Sequence, residues 1–310
     1  MTQEDLAGLL YESLQQKIMP LPDTITVYPG HGAGSACGKN MSKETVDTLG
    51  HQKQTNYALL QPNKQAFINA VTEGMEAPPA YFPYNVKMNK QGSESLEHVL
   101  EASNKAFEIH DFEKIAQQYG AIILDTRNAS TFSQGFIPKS INIGLDGQFA
   151  PWVGALIVDV KQSILLITDA AQETETITRL SRVGFDHVLG YLKGGFEAWQ
   201  ASGRPTDAVQ RISAQQLIHS LRQGPKTIID VRREGEFDNG HLPHADNKPL
   251  DFINDWTPYI DRNIPFYLHC GGGYRSMIAA SILKARGIHN FSEIEGGYSA
   301  IAKALESPQS

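Results

Sequence analysis

The chain has 310 residues, room for two or three domains at about 100–200 residues each. Hydrophobic residues make up 41% and charged residues 20%, which excludes disordered, collagen-like and coiled-coil classes. A formal net charge of −7 argues against broad attraction to nucleic acid or anionic membrane. No apolar run approaches the ~18 residues of a spanning helix, and acids stand at Met1 to Leu10 where a secretory signal carries basic residues. The expectation is a cytoplasmic protein.

Residues 1–85 open with a helix over Glu4 to Lys17 and a strand over Thr24 to Tyr28. A Gly-rich loop follows, Pro29-Gly-His-Gly-Ala-Gly-Ser-Ala-Cys-Gly38. It nearly fits a phosphate-binding loop, but Asn40 stands where a Ser or Thr would hold magnesium. Helices are predicted around Asp47 to Leu60 and Asn63 to Glu73, before the Pro-rich turn Ala77 to Pro83. The block looks too small for a complete core of its own. Residues 86–106 are polar and rich in Gly, Ser and Glu, which suits a linker.

The last two thirds repeat. Asp125, Arg127, Phe132, Gly135 and Pro138 recur as Asp230, Arg232, Phe237, Gly240 and Pro243 at a constant shift of 105 residues. Domain-sized copies, 107–207 and 208–310, follow from this spacing, since solenoid repeats are far shorter. Helices open the copies at Asp111 to Tyr119 and Ser213 to Arg222, with Asp111 and Ser213 as N-caps. Ile228-Ile229 and Phe266-Tyr-Leu268 read as buried strands, and Ser276 to Arg286 as a helix that stops at Gly287. Strand, helix, strand implies a mostly parallel sheet with helices on both faces, so the class is α/β.

Only two cysteines occur, Cys37 and Cys270. In Leu268-His-Cys-Gly-Gly-Gly-Tyr-Arg-Ser276 a cysteine lies between strand and helix, followed by three glycines. Glycines let consecutive N–H groups curl inward, and the helix adds its positive end. Such a cradle stabilises a thiolate, with Arg275 as a fixed positive charge beside it. Cys270 and Arg275 are therefore the catalytic candidates, with Gly271, Gly272, Gly273, Tyr274 and Ser276 lining the substrate. Four residues separate Cys270 from Arg275, one fewer than in Cys-dependent phosphatases, so the smaller ring suits a sulfur atom better than a phosphate. Asp230 and Arg232 read as a structural ion pair near the site rather than an acid/base pair. His269 precedes the nucleophile along a strand, so its side chain is expected on the opposite face. In the first copy Asp169 falls near the Cys270 position, among acids and without glycines. That copy reads as catalytically silent.

At Asp230-Val-Arg232, Glu236-Phe237, Gly240-His-Leu-Pro243, Cys270 to Ser276 and Glu295-Gly-Gly-Tyr298 the sequence resembles the rhodanese sulfurtransferases. One departure is His244, where that family commonly has Gly. The resemblance implies that Cys270 accepts sulfane sulfur from thiosulfate or a small persulfide and passes it to a thiol or cyanide-like acceptor. A Cys-dependent phosphatase or arsenate reductase, or a non-catalytic partner-binding module, is the alternative.

The stretch Val27 to Gly38 resembles the last metal-site loop of the metallo-β-lactamase fold, as in persulfide dioxygenases fused to rhodanese domains. The chain is thus similar to the C-terminal portion of such a fusion: a partial metallo-β-lactamase-like segment and two rhodanese-like domains, only the second with a nucleophile. That likeness makes His31 and Cys37 secondary site candidates. The family's iron-binding cluster is missing from the sequence, so no metal or cofactor is expected, iron or zinc entering only if the absent half were present. Expected partners are small sulfur compounds, with no nucleic acid and no membrane. A homo-oligomer or a complementing dioxygenase chain stays open.

Overall fold

The computed structural model describes residues 2–30, 44–73, 88, 92 and 95–306. His31, Cys37, most of the Gly-rich loop and the Pro-rich turn lie outside the described residues. The chain forms two compact units, Met1–Pro78 and Pro79–Ser310.

In the first unit, Thr2 and Asp5 form a reciprocal capping box that starts α1, Gln3–Ser13. The helix runs on as a wider turn, Leu14–Ile18. The predicted strand shrinks to β1, Thr26–Val27, antiparallel to β2, Asp47–Thr48. Because Asp47 and Thr48 are taken by this pairing, the next helix starts late: α2 is Leu49–Thr55, capped by the Thr48 side chain. It stops early because Asn56 is extended, its side chain accepting from the Ala58 N–H. Asn63 caps α3, Lys64–Thr72. Helices α1 and α3 pack through Tyr11 and Phe67, ring centroids 5.4 Å apart. Ala7, Leu49 and Phe67 are buried, so the block does hold a small core.

The second unit begins with a correction. The stretch expected as a linker contains α4, Leu96–Ser103, capped by Ser95, with Val99 buried. Leu96, Val99, Leu100 and Ser103 fall at helical spacing, and this apolar stripe outweighs the polar composition around it. The first repeat then carries β3, Ala106–Phe107; α5, Ile109–Tyr119; β4, Ile122–Asp125; α6, Ala129–Gln134; and β5, Ile141–Asn142. Its remainder is α7, Phe149–Leu156; β6, Ile164–Ile167; α8, Glu173–Ser181; β7, Val188–Leu192; and α9, Gly195–Ala201. Helix α5 is entered at Glu108 rather than Asp111, without a side-chain cap. The second repeat comprises β8, Arg211–Ile212; α10, Ala214–Arg222; β9, Thr227–Asp230; α11, Glu234–Asp238; and β10, Ala245–Asn247. It closes with α12, Ile253–Trp256; β11, Phe266–His269; α13, Tyr274–Ala285; β12, Phe291–Ile294; and α14, Gly297–Glu306. Ser213 caps α10 as expected, in a capping box with Gln216.

Each repeat is a five-stranded parallel sheet, in the order β3-β7-β6-β4-β5 and β10-β9-β11-β12-β8. The central strands are apolar runs because helices cover both faces. On the first sheet Leu165 and Ile167 face one cluster with Phe112 and Trp199, while Ile164 and Leu166 face the other way.

That other cluster belongs to both repeats. It joins Leu124, Phe132, Ile143 and Leu166 of the first to Leu268, Cys270, Met277 and Ile278 of the second. Helix α13 lies at its centre, against β5 and α6 of the first repeat as well as its own sheet. Residues 276–283 are all buried, as an apolar helix without a polar face requires. Tyr274 Oη donates to Gly144 O at 2.7 Å, and Lys284 pairs with Asp207 at 2.8 Å. The two copies therefore share one core.

His244 has φ +64°, and Lys139, at the same point of the first copy, has φ +71°. A left-handed turn is built into both repeats there, which explains why glycine suits the position.

Candidate active site

Buried arginines fix the site's approaches in both copies. Arg232 binds Asp230 through Nη2 at 2.6 Å and Gly240 O at 2.8 Å, with its guanidinium 4.0 Å from the Tyr298 ring centroid. Arg127 repeats this with Asp125 at 2.6 Å, Gly135 O at 2.9 Å and Phe196 at 4.3 Å. Both acids are fully buried. The recurrence where only one copy has a cysteine supports the structural reading of Asp230 and Arg232, which tie strand to loop.

Strand β11 ends at His269, and Cys270 opens the loop. His269 turns towards the Asp230 and Tyr298 side, its Nδ1 3.8 Å from Asp230 Oδ1 and its ring stacked 6.3 Å from Tyr298. Burial pushes its imidazole down, against the pull of Asp230. Cys270 faces the shared core with 1% of its surface exposed. The two neighbours thus lie on opposite faces, as the strand's alternation predicts.

The loop leans on α14. Cys270 O accepts from the Tyr298 N–H at 2.7 Å and Gly271 O from the Ser299 N–H at 3.0 Å. A Cβ at Gly297 would lie 2.4 Å from Cys270 O, so only glycine permits this approach. With these carbonyls held by α14, the Gly273 amide turns inward to the sulfur. Gly273, at φ +106°, donates its N–H to Cys270 Sγ at 3.1 Å and serves as the N-cap of α13. The thiol therefore sits at the positive end of a twelve-residue helix. Gly272 is exposed and has open space beside it, which leaves the loop approachable from solvent.

Ser276 Oγ lies 3.4 Å from Sγ, 3.2 Å from Gly273 O and 2.6 Å from Glu293 Oε1. Glu293 is fully buried on β12, with Arg211 Nε 2.7 Å from Oε2. Burial pushes its carboxyl above the usual range, against the Ser276 hydrogen bond and Arg211.

Two expected contributions take a different form. The Arg275 guanidinium is engaged bidentately by Glu236, at 2.5 and 2.7 Å. It braces the loop against α11, and its attraction for an anion is reduced by the paired carboxylate. Tyr274 sends its side chain away to Gly144, leaving only its backbone in the loop. In the first repeat the ladder pairs Asp125 with Ile167 as it pairs Asp230 with His269. Thr168, rather than Asp169, therefore occupies the Cys270 position. Counting from the two ladders corrects the expectation, which sequence could not settle because the first copy's loop is one residue longer before its helix N-cap.

Glu293 was not legible as a site residue, although a charged residue at an inward position of a buried strand is a signal. Among the described residues no group of three His, Cys, Asp or Glu could hold a metal ion. Among them, too, no helix is long and apolar enough to cross a membrane.

The rhodanese-like domain matches residues 108–202 and again residues 213–304. This chain belongs to the rhodanese-like family. The tandem rhodanese is 35% identical over 91 residues to the uncharacterized protein YqhL of Bacillus subtilis strain 168, covering 29% of this chain and 72% of that protein. Over 91 residues it is 28% identical to the thiosulfate sulfurtransferase GlpE of Shewanella oneidensis, covering 29% of this chain and 90% of that one. A solved structure, a metallo-beta-lactamase from Staphylococcus aureus subsp. aureus COL, is 31% identical with a TM-score of 0.47. That likeness covers 60% of this chain, which spans half the length of the staphylococcal chain.

Proposed function

We propose that this tandem rhodanese is a sulfurtransferase whose second repeat carries sulfane sulfur on Cys270. The carrying observation is Cys270 Sγ held 3.1 Å from the Gly273 N–H at the start of α13. A thiosulfate sulfurtransferase among the relatives, and the rhodanese-like match over both repeats, support this reading. The thiolate attacks the outer sulfur of thiosulfate or of a small persulfide. The S–S bond of the donor breaks, sulfite or a thiolate leaves with the bonding pair, and Cys270 becomes Cys–S–S⁻. A thiol or cyanide-like acceptor then takes the terminal sulfur and restores the thiolate. Gly271, Gly272, Gly273 and Ser276 line the persulfide, and Arg275 holds the loop through Glu236. The first repeat, with Thr168 at the equivalent place, serves as packing for α13. A cytoplasmic setting, without metal or cofactor, belongs to this reading.

Mass spectrometry of the protein exposed to thiosulfate or glutathione persulfide tests it. One sulfur, about 32 Da, is expected on the Cys270 peptide. No adduct, or an adduct retained elsewhere at full occupancy after Cys270→Ser, overturns it.

A further inference from the structure

Ser276 is the junction between the thiol and a buried acid. Its hydroxyl has one proton and three acceptors in reach, of which Glu293 Oε1 is closest at 2.6 Å, ahead of Gly273 O and Cys270 Sγ. When Glu293 is ionised, the charge-assisted bond takes that proton. Ser276 Oγ then offers Sγ only lone pairs, which suits a thiol S–H. When Glu293 is protonated it donates to Ser276 Oγ, and the serine proton is free to turn to Sγ, which suits a thiolate. The two arrangements differ by moving two protons along one line.

We propose that Cys270 and Glu293 share a single proton through Ser276, so that the thiolate forms by passing its proton inward to the Glu293 carboxyl rather than out to solvent. The Cys270 S–H proton goes to Ser276 Oγ while the serine's own proton goes to Glu293 Oε1. Serine ends with one proton, the S–H bonding pair stays on sulfur, and the net charge of the site does not change. Glu293 acts through Ser276 and is a positioning residue. The inference rests on Cys270 being the sulfur carrier, and it adds how that thiol is activated.

Burial is the physical reason for sharing. Cys270 is 1% exposed and Glu293 is fully buried, so two adjacent negative charges there are costly, and ionising one group favours protonation of the other. The surrounding charges permit the exchange. Arg211 from β8 faces Glu293 at 2.7 Å and also reaches Glu295 at 3.5 Å, so it keeps a partner when Glu293 takes the proton. On the thiol's side, Arg275 of α13 is neutralised by Glu236 of α11; on the His269 side, Arg232 is neutralised by Asp230 of β9. His269 faces Asp230. No other ionisable side chain among the described residues is hydrogen-bonded to Ser276 or Glu293.

The test is the pH profile of Cys270 alkylation by iodoacetamide, read on the Cys270 peptide by mass spectrometry. Wild type is expected to rise in two steps separated by a plateau, the signature of a coupled pair. In Glu293→Gln the amide oxygen accepts from Arg211 and the amide nitrogen donates to Ser276, mimicking the protonated acid. Its profile is expected to have one step at lower pH, with roughly tenfold faster alkylation near neutrality for a one-unit shift. Ser276→Ala is expected to show one step, and Ser276→Thr to restore two. A Glu293→Gln profile that superimposes on wild type overturns the proposal. If that variant does not fold, as judged by circular dichroism, superposition of Ser276→Ala on wild type overturns it instead. Alkylation does not need sulfur transfer, so failure of wild type to take sulfur sinks the proposed function separately.

Discussion

The hydroxyl of Ser281 accepts a 2.9 Å hydrogen bond from the main-chain N–H of Asn142, which lies 139 residues earlier. Strand β5, to which Asn142 belongs, is the edge of the first repeat's sheet. Edge strands present unpaired N–H groups, and here helix α13 of the second repeat satisfies one inside the shared core. The loop that holds Cys270 is thereby seated on a helix clamped by both copies.

Ser281→Ala removes the acceptor and leaves a buried donor without a partner. A loss of about 1–3 kcal/mol is expected, read as a lower urea midpoint with an unchanged slope. A change below about 0.5 kcal/mol, the scatter of ordinary surface substitutions, contradicts the clamp.

Arg127→Leu strands the fully buried Asp125. Breaking a buried pair from one side costs about 3–5 kcal/mol. Burial already pushes the Asp125 carboxyl up, with Arg127 opposing. Without the arginine it rises further, so the folded state binds a proton more tightly than the unfolded chain, and the variant's deficit shrinks as pH falls. Urea unfolding at neutral and acidic pH measures both effects.

The Glu236–Arg275 pair has the opposite sign. The Arg275 hydrogen bonds hold the Glu236 carboxyl below its ordinary value of 4.5. The pair's stabilisation is therefore complete above about that pH and is lost as pH falls through the depressed folded value. Glu236 is 42% exposed, so screening keeps the contribution to about 0.5–1 kcal/mol. Wild type is expected to exceed Glu236→Gln in urea stability by that amount at neutral pH, with the gap closing as the pH falls through the depressed Glu236 value. A gap that persists in acid contradicts the assignment.

Thr168→Cys puts a thiol at the position of the first repeat that matches Cys270. Asp169 and Glu173 flank it, and no run of glycines follows to turn amides inward. No sulfur adduct on this cysteine is expected after thiosulfate, under conditions that load Cys270. Equal loading of the two thiols, read by peptide mass spectrometry, overturns the idea that the glycine loop is what makes the second repeat competent.

The resemblance and the loop were legible because their signals are local. Cys270 with three glycines between strand and helix is a contiguous pattern, and the constant shift linking Asp125 and Arg127 to Asp230 and Arg232 is visible by alignment of the chain with itself. The helix Leu96–Ser103 was hidden by polar composition, although its apolar stripe was present. The occupant of the Cys270 position in the first repeat was missed because loop lengths differ, and only strand register counts residues from a common point.

Sequence by itself determined the α/β class, the duplication and the thiol in its glycine-rich turn, since these follow from neighbours along the chain. Tertiary structure alone decided that Arg275 is spent on Glu236, that Tyr274 anchors in the other repeat, and that Ser276 meets Glu293. Each of those contacts joins residues far apart in sequence, and each depends on how the strands and helices pack, which periodicity does not record.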